Sequence, residues 1–115
     1  MIAPFPRRGE VWTVNFHPGR GSERRGTRPA LVIQNDVGNE HAATTIVAAI
    51  TSTLKLYPIT VPLHRGEGGV RQASMVNLAQ ILTVDKSRLR QRLGALSPER
   101  LRSVDSAIQV SLDVP

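Results

Sequence analysis

Residues 21–36, Gly-Ser-Glu-Arg-Arg-Gly-Thr-Arg-Pro-Ala-Leu-Val-Ile-Gln-Asn-Asp, place Arg24, Arg25 and Arg28 in one stretch, with Arg20 just ahead of it. A guanidinium is a planar fork that donates paired hydrogen bonds to phosphate and stacks on bases, so this spacing suits the grip of a polyanion. Gly21 and Gly26 let the backbone turn where a side chain would clash. Pro29 biases Arg28 toward an extended conformation, which sets that guanidinium at the mouth of the strand announced by Ala30-Leu31-Val32-Ile33. A loop carried on a rigid strand is where binding and catalysis concentrate. The wider charge pattern agrees. The 115 residues carry a net charge of +6, and 13 of the 15 basic residues are arginine. Arg7, Arg8, Arg20, Arg24, Arg25 and Arg28 face only Glu10 and Glu23 in that part of the chain, and Lys86, Arg88, Arg90 and Arg92 form a second cluster. A nucleic-acid partner follows from such a balance.

Other chemistries find little support. There is no cysteine, hence no disulfide framework or thiolate zinc site. His17, His41 and His64 lie in separate segments, and no His/Asp/Glu group has metal-ligand spacing, so neither metal nor cofactor is expected. No apolar run approaches the roughly 18 residues that span a bilayer, and residues 1–8 lack the apolar core of a secretion signal. The expectation is a single cytoplasmic domain over residues 1–115 with no membrane association.

Hydrophobic patterning supplies the elements that must hold the arginines. Residues 1–8 read as an irregular lead-in. Strands are expected over residues 9–16, 28–35, 44–51, 57–63 and 89–93, with two more, 73–78 and 80–84, meeting at a kink at Ala79. Residues 17–27 form a loop, 36–43 a turn, and 64–72 a mobile, glycine-rich loop. The one long helix spans residues 97–113: Ser97 caps it, Pro98 and Glu99 suit its first turn, and Leu101, Val104, Ile108 and Leu112 fall on one face. Short strands followed by an amphipathic helix predict a mainly β, mostly antiparallel barrel with the helix packed on it.

Beyond this general architecture, Gly21-Ser22-Glu23-Arg24-Arg25-Gly26-Thr27-Arg28-Pro29 resembles the Gly-x-Glu-x-x-Gly-x-Arg-Pro signature of the MazF/PemK family of toxin endoribonucleases. Arg8-Gly9-Glu10-Val11-Trp12, Leu31 to Asp36, the strand ending in Thr51, Ser74, Gln80-Ile81 and Thr83 to Leu89 resemble further family segments in the family's order. The resemblance implies an SH3-like barrel with a C-terminal helix, a homodimer, and metal-free cleavage of single-stranded RNA to 2′,3′-cyclic phosphate and 5′-hydroxyl ends. It also implies a cognate antitoxin with an acidic tail. It points to Arg28 and Thr51 as the catalytic pair. Arg20, Ser22, Glu23, Arg24, Arg25, Gln80 and Arg88 are the RNA-binding candidates, with bland alternatives beside them: Ser22 and Glu23 can brace the loop, Gln80 can satisfy a backbone group, and Arg88 can belong to a solvated face. Glu23 and His17 are the candidates for general base. Without the resemblance, Arg28 is an ordinary solvated charge and Thr51 a residue chosen for β propensity. Two other functions fit the same fold: a non-catalytic gyrase poison, or an RNA-binding module without turnover.

Overall fold

The computed structural model describes residues 5–16 and 26–115. They form six strands, β1 (Glu10–Asn15), β2 (Thr27–Val32), β3 (Thr44–Thr51), β4 (Thr60–Leu63), β5 (Ser74–Asp85) and β6 (Leu89–Ala95), with helices α1 (Asp36–His41) and α2 (Pro98–Leu112). One antiparallel sheet holds all six in the order β4-β5-β3-β2-β1-β6. The expected mainly β architecture with a C-terminal helix is what forms.

Both faces of the sheet are apolar. On one, Val11, Leu31, Ala48, Ile50, Val76 and Leu78 pack with Val104 and Ala107 of α2. On the other, Val14, Ala30, Val32 and Val47 are buried together, with Trp12 and Phe16 against them. Central strands buried on both faces read as unbroken apolar runs rather than as alternation. This is why β2 and β3 stand out in the sequence. Trp12 belongs to this second cluster, and its indole donates to Glu10 at 2.9 Å.

Four departures from the sequence reading have physical causes. First, residues 36–41 form a helix, not a simple turn. The Asn35 side chain caps it by accepting from the Gly38 N–H at 2.8 Å. Its anchor is Asn39, fully buried. Asn39 Oδ1 accepts from Thr45 Oγ1 at 2.6 Å and from Gln34 Nε2 at 3.1 Å, while its Nδ2 donates to the Gln34 carbonyl at 2.9 Å and to Asp36 at 3.2 Å. A short helix held by a polar network shows no hydrophobic period. Asn39→Ala is therefore expected to cost about 2–3 kcal/mol, because it strands the Thr45 hydroxyl in the interior. Urea denaturation with an unchanged m-value checks this.

Second, β5 is one strand, not two. Ala48 pairs with Ile81 but its neighbour Ala49 pairs with Asn77, so Leu78, Ala79 and Gln80 bulge out of the ladder. The Asn77 side chain accepts the Ala79 N–H at 3.0 Å and bridges the bulge. The kink expected at Ala79 is this bulge, and bulges bend a strand without ending it.

Third, residues 64–72 are a packed, hydrogen-bonded segment where a mobile loop was expected. Gly66, Gly68 and Gly69 take positive φ. Glu67 accepts from the His64 N–H at 2.6 Å and from Arg100 Nε of α2 at 3.1 Å. Val70 is buried in the core. A Cβ on Gly69 would lie 2.2 Å from the Leu93 carbonyl oxygen, and one on Gly94 would lie 2.8 Å from the Gly68 carbonyl carbon. The glycines thus let this turn lie directly on β6. Among the described residues no ladder joins the edge strands β4 and β6; the turn covers β6 instead.

Fourth, the inward stripe of α2 runs through Leu101, Val104, Ala107 and Ile108, but Leu112 is exposed. Ser111 takes the inward position, donating to the Leu78 carbonyl at 2.6 Å.

The start of β1 is fastened by charge. Arg8 donates from its backbone N–H to Asp36 at 2.7 Å, from Nε to the Ile33 carbonyl at 2.9 Å, and from Nη2 to Asp105 at 2.7 Å. Glu10 accepts from the Arg7 N–H, the Trp12 indole and Arg92 Nε at 2.8–2.9 Å. Burial raises the Glu10 pKa, but these hydrogen bonds and the Arg92 charge outweigh it and hold the carboxyl below its usual range. A lowered folded-state pKa gives stability that is present above the unfolded value, about 4.3 for glutamate, and is lost as pH falls through the folded one. Thermal melts from pH 7 down to pH 3 should hold a plateau and then fall below about pH 4.5. The fall should be shallower in Glu10→Gln, and an identical profile in that variant would contradict the assignment.

Candidate functional site

The β2–β3 register pairs Ala30 with Ala49, Leu31 with Ala48 and Val32 with Val47. Arg28 and Thr51 each lie two residues beyond the last of these pairs, at the same end of the sheet. Both residues line one cleft of about 410 Å³ at this end of the sheet. Its apolar base is Pro29, Ile50, Val70 and Leu93, and its polar rim adds Thr13, Arg71, Gln72 and Gln91. An apolar floor with a few convergent polar groups is the usual build of a ligand site.

The electrostatics separate the arginines into two kinds. Arg8 is paired with Asp105, Arg92 with Glu10 and Arg100 with Glu67, at 2.7–3.1 Å. These brace the fold. Arg28 is exposed, and among the described residues it has no carboxylate partner; its Nη1 reaches the Thr27 carbonyl at 3.4 Å. Arg71, also exposed, likewise has no carboxylate partner among the described residues. The described lining of the cleft contains no Asp, Glu or His, so it is a region of uncompensated positive charge. Thr51 is half-buried, and its Oγ1 accepts the Thr53 N–H at 3.1 Å. That bond orients the side chain while its O–H stays available to donate. Among the described residues no three His, Asp or Glu side chains group as a metal site, and no helix is long and apolar enough to cross a membrane.

The structure thus brings Arg28 and Thr51 together. Arg20, Ser22, Glu23, Arg24, Arg25 and His17 lie outside the described residues. Gln80 sits in the β5 bulge, and Arg88, just before β6, donates to the Asn15 carbonyl at 3.5 Å. Neither lines the cleft. Arg71, Gln72, Gln91 and Thr13 were not singled out from the sequence. One signal was there: Gly69-Val70-Arg71 leads into β5 as Gly26-Thr27-Arg28 leads into the interior of β2, with an arginine two residues after a positive-φ glycine.

A family model described as "PemK-like, MazF-like toxin of type II toxin-antitoxin system" matches residues 7–112. The chain is 40% identical over 108 residues to a protein named Endoribonuclease MazF from Staphylococcus saprophyticus, covering 92% of this chain and 90% of that one. Its structure resembles an endoribonuclease in complex with its cognate antitoxin from a mycobacterial species, with TM-score 0.82 and 24% identity over 96% of this chain and 97% of that chain. It also resembles a MazE-MazF crystal structure from Deinococcus radiodurans, with TM-score 0.72 and 26% identity over 98% of this chain and 100% of that chain.

Proposed function

Because the chain belongs to the PemK-like, MazF-like toxin family of type II toxin–antitoxin systems, we propose that it is an endoribonuclease that cuts single-stranded mRNA without a metal, at the cleft shared by Arg28 and Thr51. The observation that carries this reading is an arginine without a carboxylate partner among the described residues, lining the same cleft as a strand-end hydroxyl.

The substrate supplies its own nucleophile. The ribose 2′-oxygen attacks the adjacent phosphorus as its proton passes to a base, the bond from phosphorus to the 5′-oxygen breaks, and that oxygen takes up a proton. A 2′,3′-cyclic phosphate and a 5′-hydroxyl result. Charge accumulates on the non-bridging oxygens, where the Arg28 fork offers two N–H donors and a full charge, and where the Thr51 hydroxyl can add a third bond. Arginine holds its proton too tightly to serve as the base. That role falls to Glu23 or His17, in the segment between β1 and β2, where Arg20, Ser22, Arg24 and Arg25 bind the strand; Gln80 and Arg88 extend the binding surface. The enzyme works as a cytoplasmic homodimer. Its inhibitor is a small antitoxin whose acidic tail competes for the same basic cleft, a pairing that the likeness to MazE-MazF supports.

The test is a long single-stranded RNA incubated with the purified protein in excess EDTA, with the ends mapped. Discrete cuts bearing 5′-hydroxyls are expected, and they should become much slower in Thr51→Ala. RNA that is bound but uncut would favour a binding module, and loss of gyrase activity with intact RNA would favour a poison.

A further inference from the structure

Thr51 ends β3 between two neighbours. On one side is β2, which carries Arg28; on the other is β5, whose Met75 pairs with Thr51. Arg71 lies three residues before β5 begins at Ser74 and lines the same cleft. Two arginines without a carboxylate partner among the described residues therefore share the cleft with Thr51, Arg28 from β2 and Arg71 from the turn that Gly69 sets against Leu93 of β6. Such separate origins suit contacts to separate phosphates of one strand lying in the cleft. Arg71 is held from behind: Val70 is buried in the core, and Glu67 ties the preceding turn to Arg100 of α2. Gln72, beside it on the rim, has no side-chain hydrogen bond among the described residues.

We propose that Arg71 is a second phosphate site, a positioning residue that holds the linkage next to the scissile one, and that Gln72 meets the base attached there. This rests on reading the cleft as an RNA site. The strand would cross the end of β3 with the scissile phosphate at Arg28 and Thr51 and the neighbouring phosphate at Arg71. Arg71 touches no reacting atom, so it sets affinity and register rather than the rate of the bound complex.

Two measurements test it. Binding of a labelled, fully 2′-O-methylated single-stranded RNA, which cannot be cut, is followed across salt concentrations. Arg71→Ala should bind about tenfold more weakly at low salt, and its log–log salt slope should fall by about 0.7, the share of one phosphate contact. Arg71→Lys should keep the slope. The melting temperature should be unchanged, since Arg71 is exposed and has no carboxylate partner among the described residues. The second measurement uses cleavable RNAs with a single uncharged methylphosphonate at each linkage beside the cut. One of these should raise KM about tenfold for the wild type but not for Arg71→Ala, with kcat nearly constant; the missing penalty is the coupling between the two groups. An unchanged salt slope in Arg71→Ala, or equal methylphosphonate penalties in both proteins at every position, overturns the proposal. The two claims fail separately. RNA left uncut, with the slope still falling, removes the nuclease and keeps the phosphate site. RNA cut normally, with the slope unmoved, does the reverse.

Discussion

Arg28→Ala is expected to lower kcat/KM on single-stranded RNA by roughly 10²–10³-fold, the usual cost of removing one donor aimed at developing negative charge. The expectation rests on three observations. Arg28 lines the cleft with Thr51, both lie two residues beyond the last β2–β3 pair, and Arg28 has no carboxylate partner among the described residues. Because it is exposed and has no carboxylate partner among the described residues, its loss should change stability by no more than about 0.5 kcal/mol. Activity and folding therefore separate in this variant. Arg28→Lys sharpens the test, since it keeps a charge but loses the planar fork; an intermediate rate is expected. Single-turnover cleavage beside a thermal melt reads both. An alanine variant as fast as the wild type would take Arg28 out of the chemistry.

Gly69→Ala is expected to be the most disruptive single methyl in the described chain. Gly69 has φ +83, and a Cβ there would come within 2.2 Å of the Leu93 carbonyl oxygen and 2.7 Å of its carbon. The left-handed conformation costs a non-glycine residue about 1–2 kcal/mol, and the overlap with rigid backbone adds about 1–3 kcal/mol. Gly66 is the control. Its φ is +95, yet nothing lies within 4 Å of its Cβ position. Gly66→Ala thus carries the conformational cost alone, and the difference between the two variants measures how closely the turn is pressed on β6. Relief of the clash requires the turn to lift away, which shifts Val70, Arg71 and Gln72 together. RNA affinity should fall along with stability in Gly69→Ala and much less in Gly66→Ala. Equal melting temperatures for the two would contradict the close contact.

Most of the frame was legible because its signals are local. The apolar runs of β2 and β3, the alternation in β4 and the Ser97-Pro98-Glu99 start of α2 each follow from side-chain period or capping. What escaped depends on partners distant in sequence. Nothing near Asn39 announces that Gln34 and Thr45 will enclose it. Gly69 and Gly94 are ordinary until the fold stacks one on the backbone beside the other. Arg28 and Thr51 were reached through family resemblance, and the structure sets both on one cleft. The motif also mixed two kinds of residue that a pattern cannot tell apart. Arg8, Glu10, Gln34, Asn35 and Asp36 are occupied with internal hydrogen bonds that fasten β1 and α1, so they hold the scaffold together.

The cleft draws its parts from unequal places. Arg28 and Thr51 stand on strands paired on both edges in the middle of the sheet, whereas Gln72 and Gln91 come from a connecting segment and from the sheet's outermost strand. On the proposed reading, bond-breaking at Arg28 and Thr51 is thereby housed apart from the base contact at Gln72. Descendants of this chain could then trade one target word for another by editing the margins, while the proposed cutting centre stays as it is.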